Sequence, residues 1–295
     1  MGKSTLLNAA LEVELAVVTP TPQTTRETLL GVVHREVDDM SCELALLDTP
    51  GLHKAERALD RRMNRAARDA AEEASVVVFV ADASGALEHS TVHPGDVALL
   101  ADIGANSRAI LALNKVDRVK DKAKLLPMLE AYSAVRTWDA IVPMSARKTD
   151  GVDRLLDEVA RLLPEGPHRF GEDDLTDRPA RFFVKEYVRE QILLLARQEV
   201  PHAAAVNVEA FEEGSERRVT RVAATIHVER EGQKKILVGT GGAMLKQIGT
   251  EARMRLQEIV GFQVHLELFV RVTPGWRDAP TLLEELGIGS DGETQ

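Results

Sequence analysis

Three short runs in the first half of the chain are almost wholly apolar: Glu43-Leu44-Ala45-Leu46-Leu47, Ser75-Val76-Val77-Val78-Phe79-Val80 and Ala109-Ile110-Leu111-Ala112-Leu113. Runs of this length without polar alternation predict strands covered on both faces, the condition of a parallel sheet. Ala140-Ile141-Val142-Pro143-Met144 is a fourth candidate. Helical stretches near residues 58–74, 91–104 and 121–134 lie between the runs. A helix over 151–163 stops at Leu163-Pro164, where proline cannot continue the hydrogen-bond ladder. Strands alternating with helices in this way predict a doubly wound α/β domain with a mostly parallel sheet.

Polar motifs follow the runs directly. Asp48-Thr49-Pro50-Gly51 comes after the first, Asn114-Lys115-Val116-Asp117 after the third, and Ser145-Ala146 after the fourth candidate. All fall at carboxyl ends of parallel-strand candidates, the rim where open α/β sheets bind ligands. The chain opens Met1-Gly2-Lys3-Ser4-Thr5-Leu6-Leu7-Asn8, the second half of the phosphate-binding pattern G-x-x-x-x-G-K-[ST]. Each motif alone is an ordinary turn, cap or chain end. In this order, after these strands, they predict a guanine-nucleotide site.

The chemistry explains the residue types. Lys3 puts a compact positive charge on the β- and γ-phosphates, and the Ser4 hydroxyl goes to Mg²⁺, with Thr5 in the same turn. A helix starting there turns its free N–H groups toward the phosphates. Asp48 is placed to hold Mg²⁺. The Gly51 N–H, in the turn shaped by Thr49 and Pro50, can approach a γ-phosphate and move when it leaves. Asp117 accepts two parallel hydrogen bonds from the N1–H and amino group of guanine, and adenine offers neither donor there. Asn114 ties the loops together, the Lys115 stem covers the base, and the Ala146 N–H meets guanine O6. Thr24 and Thr25 lie in a polar, proline-flanked segment that suits a mobile switch loop.

Past residue 163 the pattern changes. Pro164–Pro179 is rich in proline, glycine and acidic residues and reads as a linker. A helix over 180–198 leads to strand candidates at Ala205–Ala210, Val222–Val228 and Lys235–Val238, then a helical pair over 243–260. In Phe262–Val272 the residues Phe262, Val264, Leu266, Leu268 and Val270 share one face, the mark of a sheet with one covered side. The second domain is therefore predicted to be a smaller α+β unit, and the acidic tail after Leu286 to be frayed. Val238-Gly239-Thr240-Gly241-Gly242, read as a strand-to-helix loop, is a G-x-x-G sequence of the kind that lets KH domains clamp about four nucleotides. Lys234, Lys235, Lys246, Arg253 and Arg255 are close by in sequence. The net charge of -10 argues against broad, charge-driven nucleic-acid binding. Any RNA surface is therefore local, and salt should weaken binding only moderately. A single cysteine, Cys42, excludes an internal disulfide framework and fits a reducing cytosol; it is expected to be a packed strand residue. No apolar run approaches the roughly 18 residues of a membrane span.

These residues together resemble the Era family of bacterial GTPases. The resemblance is carried by Gly2–Asn8, Gln23-Thr24-Thr25-Arg26, Asp48–His53, Asn114–Asp117 and Ser145-Ala146, which look like the family's five nucleotide-binding motifs. It continues through Thr176-Asp177-Arg178, Val228–Lys235 and His265–Leu268 and covers essentially the whole chain. It implies a P-loop GTPase domain over 1–165, a linker and connecting helix over 166–198, a type II KH domain over 199–280 and a tail over 281–295. It implies GTP or GDP with Mg²⁺ as ligands, and a role in maturing the 30S ribosomal subunit with the KH domain on the 3′ end of 16S RNA through Gly239, Thr240, Gly241, Gly242, Lys235, Lys246 and Arg253. It also implies that Thr24 or Thr25, Thr25 by preference, reaches Mg²⁺ and the γ-phosphate, and that Lys3, Thr25 and Gly51 contact the transition state. A monomer in the cytoplasm, able to associate peripherally with the inner membrane, completes the expectation. Ras-like enzymes place glutamine after Asp-x-x-Gly to orient the attacking water. Leu52 stands there in this chain, so unassisted hydrolysis should be slow.

Era-like chains carry a first strand and a Gly-x-Pro-Asn stretch before Gly-Lys-Ser, and this sequence has neither. That strand would be central in the sheet, and its loss of about four large apolar side chains forfeits roughly 6–12 kcal/mol, at ~1.5–3 each. Typical total stability is only ~5–15 kcal/mol. A chain without that strand is therefore expected to fold poorly or bind nucleotide badly. One explanation is a start codon assigned too late: a valine codon, GTG, can begin bacterial genes, and valine commonly precedes Gly-Lys-Ser in this family. The alternative functional reading is an RNA-binding KH protein with an inactive GTPase remnant. A tRNA-modifying relative would end in a cysteine motif, and no cysteine follows Cys42. A tandem double GTPase would show two motif sets where this chain has one.

Overall fold

The computed structural model describes residues 1–21, 24–52, 55–84, 92–104, 107–214 and 219–288. Gln23 and His53 of the motifs above, and the tail from residue 289, lie outside them. The chain divides into two compact units, one of residues 1–16, 28–52 and 65–177, the other of residues 17–27, 53–64 and 178–295.

In the first unit, helix α1 (Lys3–Leu11) starts at Gly2, whose φ of +96° a side chain rarely adopts. Strands β1 (Leu29–Val37) and β2 (Met40–Asp48) then pair antiparallel along their whole length. The sequence predicted neither β1 nor this pairing, because the turn carries no glycine. Asp38 and Asp39 supply it instead, with φ of 53° and 64°. A two-residue hairpin needs left-handed backbone at both central positions, and aspartate tolerates it better than most residues. The Glu43–Leu47 run is consequently half of a ribbon with Leu47 43% exposed, not a parallel strand covered on both faces.

After α2 (Ala58–Glu73) the expected alternation holds: β3 (Val77–Asp82), α3 (Pro94–Asp102), β4 (Ala109–Asn114), α4 (Leu125–Val135), β5 (Ala140–Pro143) and α5 (Val152–Leu162). Strands β3, β4 and β5 form a parallel sheet in that order. Its two faces carry separate cores. Val80, Ile110, Ala112 and Val142 pack with Leu155, Leu156 and Val159 of α5. Phe79, Ala81, Leu111 and Leu113 pack with Leu100, Met128 and Tyr132 of α3 and α4. Strand β4 is buried at every position, which is why its sequence shows no alternation. The segment read as a linker is not free of this unit. Leu175 O accepts a hydrogen bond from Val32 N at 2.9 Å, and Glu43 accepts from the N–H groups of Arg169 and Phe170.

The second unit contains α6 (Ala180–Leu195), α7 (Val200–Ala203), β6 (Ala205–Glu212), β7 (Thr220–Val228), α8 (Glu231–Val238), α9 (Ala243–Val260), β8 (Val264–Val272) and α10 (Pro280–Glu285). Strand β6 pairs antiparallel with β7, and β8 returns parallel to β7 after the two helices. Three expectations need correction. Residues 235–238 are helical, not a strand, because Gln233 Oε1 accepts from the N–H groups of Glu229 (2.9 Å) and Arg230 (3.1 Å) and opens a helix there. Residues 243–260 form one helix rather than a pair. Helix α6 is no mere connector: Phe183, Tyr187, Val188 and Ile192 are buried and α6 packs on α9 and β6. The chain also stays packed beyond Leu286, since Ile288 is buried with Leu283, Trp276, Leu59 and Met63.

Candidate functional site

At the carboxyl rim of β3–β4–β5, Asn114 is the organising side chain. It is 2% exposed, its Oδ1 accepts from the N–H of Lys115 (2.8 Å) and of Ala146 (2.9 Å), and its Nδ2 donates to Met1 O (3.0 Å). One amide thus joins the start of α1, the loop after β4 and the loop after β5. Gly2 sits against it so closely that a Cβ there would lie 2.8 Å from Asn114 Nδ2. The Ala146 N–H, expected on guanine O6, is already engaged by Asn114, so a base carbonyl has to share it.

Asp117 follows β4 in a short 3₁₀ turn that Lys115 enters with a φ of 65°. Ser145 Oγ donates to Asp117 Oδ1 at 2.8 Å. That bond holds the carboxyl below the ordinary range, so Asp117 is a ready acceptor facing solvent. Asp82, at the end of β3, was not anticipated. Its Oδ2 accepts from the Lys115 ammonium and its Oδ1 from Ser84 N (3.0 Å) and Ser84 Oγ (2.6 Å). Burial opposes its ionisation, yet the Lys115 and Ser84 bonds hold its pKa below the usual value. A carboxylate at the end of a buried strand was the available signal, and Asp82 sets where the Lys115 stem lies.

The residues expected to meet phosphate lie at the start of α1. Ser4 Oγ donates to Asp48 Oδ2 at 2.5 Å, bringing the helix start and the end of β2 together. A Cβ on Gly51 would stand 3.8 Å from the Lys3 ammonium, so the Thr49-Pro50-Gly51 turn closes on that charge. Two hard oxygen donors beside a lysine and a helix N-terminus fit a magnesium ion and a polyphosphate. The rim thereby unites Gly2, Lys3, Ser4, Thr5, Asp48, Thr49, Pro50, Gly51, Asn114, Lys115, Asp117, Ser145 and Ala146 in one unit.

Thr24 and Thr25 belong to the second unit. Thr24 Oγ1 donates to Thr21 O (2.8 Å) and meets Thr19 Oγ1 (2.9 Å), and its carbonyl accepts from Arg189. Next to them Arg26 is 7% exposed, with its guanidinium 5.7 Å over the Trp276 ring and donating to Ala204 O (2.6 Å) and His202 O (3.0 Å). Burial lowers its pKa to about 9.

The G-x-x-G sequence joins α8 to α9, helix to helix. Gly239 (φ 70°, ψ 176°), Gly241 (φ 59°) and Gly242 (φ 81°) all have backbone that favours glycine, and Thr240 between them is exposed. Lys235, Lys246 and Arg253 are exposed on the flanking helices. Arg255 is not part of that surface: it turns inward to pair with Glu190 and lies 4.4 Å over the Tyr187 ring.

Comparison with known proteins finds two family models along the chain. A model described as "50S ribosome-binding GTPase" matches residues 1–115, and a KH-domain model matches residues 199–277. The GTPase Era of Syntrophus aciditrophicus is 40% identical over 288 residues, spanning 97% of this chain and 91% of that protein. The GTPase Era of Xanthomonas axonopodis pv. citri is 42% identical over the same length, spanning 97% and 93%. Among solved structures, an Era variant from Aquifex aeolicus bound to GDP and tetrafluoroaluminate is similar with a TM-score of 0.88, 33% identity, and coverage of 97% of this chain and 94% of the other. An Era complex with MgGDPNP and nucleotides 1506–1542 of 16S ribosomal RNA gives the same values.

Proposed function

The chain belongs to the Era family of GTPases, and from that premise we propose that it is a GTP-binding and GTP-hydrolysing switch whose KH unit binds 16S ribosomal RNA and assists assembly of the 30S subunit. The observation that supports it is the convergence of Lys3, Ser4, Asp48, Asn114, Lys115 and Asp117 on one rim, with Asn114 bonded to three separate segments. In this reading Asp117 selects guanine, Ser145 orients it, and Asp82 positions Lys115 along the base. Ser4 and Asp48 hold Mg²⁺, whose charge neutralises the β- and γ-phosphate oxygens when bound. Lys3 and the Gly51 N–H meet the charge that develops on the transferred phosphate. Leu52 brings no amide to orient water, so these residues alone support slow hydrolysis, in keeping with a switch. On the KH unit, backbone at Gly239, Thr240, Gly241 and Gly242 approaches the RNA, with Lys235, Lys246 and Arg253 on phosphates.

The test is Asp117→Asn. Replacing the carboxylate loses two charge-assisted hydrogen bonds to guanine, each about 1.5–3 kcal/mol. GTP affinity should therefore fall about 10²–10⁴-fold. Xanthosine triphosphate, with a carbonyl in place of the guanine amino group, should gain. A variant that still prefers guanosine over xanthosine triphosphate sinks the assignment of the base pocket. The RNA arm is separate: binding of a 16S 3′-end fragment by this variant should persist, and loss by Lys246→Glu should leave nucleotide affinity intact. The proposal extends to a cytoplasmic monomer that associates peripherally with the inner membrane; among the described residues no helix is long and apolar enough to cross one. Analytical ultracentrifugation and vesicle co-sedimentation test those two points.

A further inference from the structure

Away from the nucleotide rim, three side chains of the first unit converge from three different segments. His34 of β1 and Glu43 of β2 are direct cross-strand partners in the hairpin register. Directly opposed side chains of an antiparallel pair share a face, with Cβ atoms about 4.5–5.5 Å apart. The 164–179 segment then crosses the ribbon and adds His168, and among the described residues one ligand atom from each of the three lies within 4.8 Å of the others. The two imidazole rings are 5.7 Å apart.

The surroundings fix each group. Glu43 accepts N–H bonds from Arg169 (3.0 Å) and Phe170 (2.9 Å), which orient the carboxylate toward the segment that carries His168. His34 Nε2 lies 3.0 Å from Gly171 O, and His168 Nε2 lies 3.5 Å from Ser41 O. A ring nitrogen facing a carbonyl carries the proton, so the other nitrogen of each neutral ring keeps its lone pair. Histidines that bind metals commonly have this arrangement, donating one N–H to a carbonyl. Two imidazoles and one carboxylate make a mixed nitrogen and oxygen set with one negative charge. That set suits Zn²⁺ and the neighbouring divalent transition metals far better than Mg²⁺, and three protein ligands leave a fourth position for water.

We propose that His34, Glu43 and His168 bind a divalent transition-metal cation, zinc in the first instance, which clips the 168–171 segment to the β1–β2 ribbon. The clip links residues 34 and 43 to residue 168, far along the chain. Its effect is to hold the segment that Val32 N–H already engages at Leu175 O, 2.9 Å away. Unlike magnesium at the rim, this ion needs no nucleotide.

The experiment is calorimetric titration of Zn²⁺ into the full chain, with GDP and excess Mg²⁺ present to occupy the nucleotide rim. One equivalent should bind. His34→Gln and His168→Gln should each weaken it more than about tenfold, the loss already typical of removing an outer-shell partner. Zn²⁺ should protect residues 164–175 from hydrogen exchange in the wild type and not in His168→Gln. His168 is exposed and outside any helix or strand, so that variant should fold as the parent does and its result is decisive. Absence of stoichiometric zinc binding overturns the proposal. So does zinc binding that His168→Gln leaves intact, or binding that is lost only in Cys42→Ser, which would assign the metal to the thiol beside Glu43.

Discussion

Gly239→Ala compared with Gly242→Ala tests how the G-x-x-G loop is held. Gly239 has φ 70° and ψ 176°, a region open essentially to glycine alone, so a side chain there costs about 1–3 kcal/mol. Its Cβ would also stand 2.7 Å from Met244 Cβ and 2.9 Å from Met244 N, at the first turn of α9. Forcing that overlap adds about 1–3 kcal/mol, because backbone has to move. Gly242 (φ 81°, ψ 8°) lies in the left-handed helical region, where alanine costs about 1–2 kcal/mol, and nothing lies within 4 Å of its Cβ. Both changes stiffen the unfolded chain equally, so that contribution cancels in the comparison. At mid-range values, about 4 against about 1.5 kcal/mol, Gly239→Ala should therefore be the less stable by about 2–3 kcal/mol. Urea unfolding followed by fluorescence of Trp276, buried in the same unit, reports it, alongside hydrogen exchange in α8 and α9. Binding of the 16S 3′-end fragment should weaken in step for Gly239→Ala, whose loop has to shift. Equal stability of the two variants would show that Met244 does not determine the loop's shape.

Glu27 is 16% exposed at its side chain, and burial raises its pKa to about 7 despite Lys185 at 4.0 Å. Its folded pKa lies above the unfolded value, so stability is full below about pH 4.5 and falls as pH rises to about 7. Glu27→Gln should stabilise the second unit by about 3 kcal/mol at pH 8 and by under about 1 kcal/mol at pH 5, measured by urea unfolding at each pH. Arg26→Lys gives up the forked guanidinium that donates to both the His202 and Ala204 carbonyls and alters the cation–π contact with Trp276, a loss of about 1–3 kcal/mol. It should speed proteolysis within residues 17–27, and an unchanged cutting rate would refute the anchoring role. Asn114→Ala strands the N–H groups of Lys115 and Ala146 and should cost about 2–4 kcal/mol in the first unit as well as nucleotide affinity. Thermal melts with and without GDP separate the two effects.

The convergence of the rim residues was largely legible because its information is local. A buried strand of a parallel sheet shows itself as an unbroken apolar run, and the residue that ends it arrives at the ligand-binding edge whatever the rest of the chain does. Asn114 and Asp117 after Leu113, and Ser145 after Met144, needed only that rule. Asp82 obeys the same rule, but its role depends on Lys115, which lies on the neighbouring strand's loop. Hairpin β1–β2 was illegible for a related reason. Asp38-Asp39 takes a backbone that glycine usually advertises, and the energy of the pairing is in contacts between the strands. The run at 235–238 has β-branched, apolar composition, and the Gln233 bonds to Glu229 and Arg230 outweigh that preference.

What the amino-acid order offers on its own is the residue types the proposed chemistry needs: a carboxylate to read a base, a lysine for phosphates and a glycine loop for RNA, each written within a few neighbouring residues. Tertiary structure alone decided membership and partnership. It put residues 17–27 and 53–64 into the KH-bearing unit, through Arg26 over the Trp276 ring and through Leu59 and Met63 against Ile288. It turned Arg255 inward to Glu190, and it brought His168 to a cross-strand pair more than a hundred residues earlier. Those outcomes depend on burial and on charges finding partners across long separations, and such energies exist only once the chain has closed on itself.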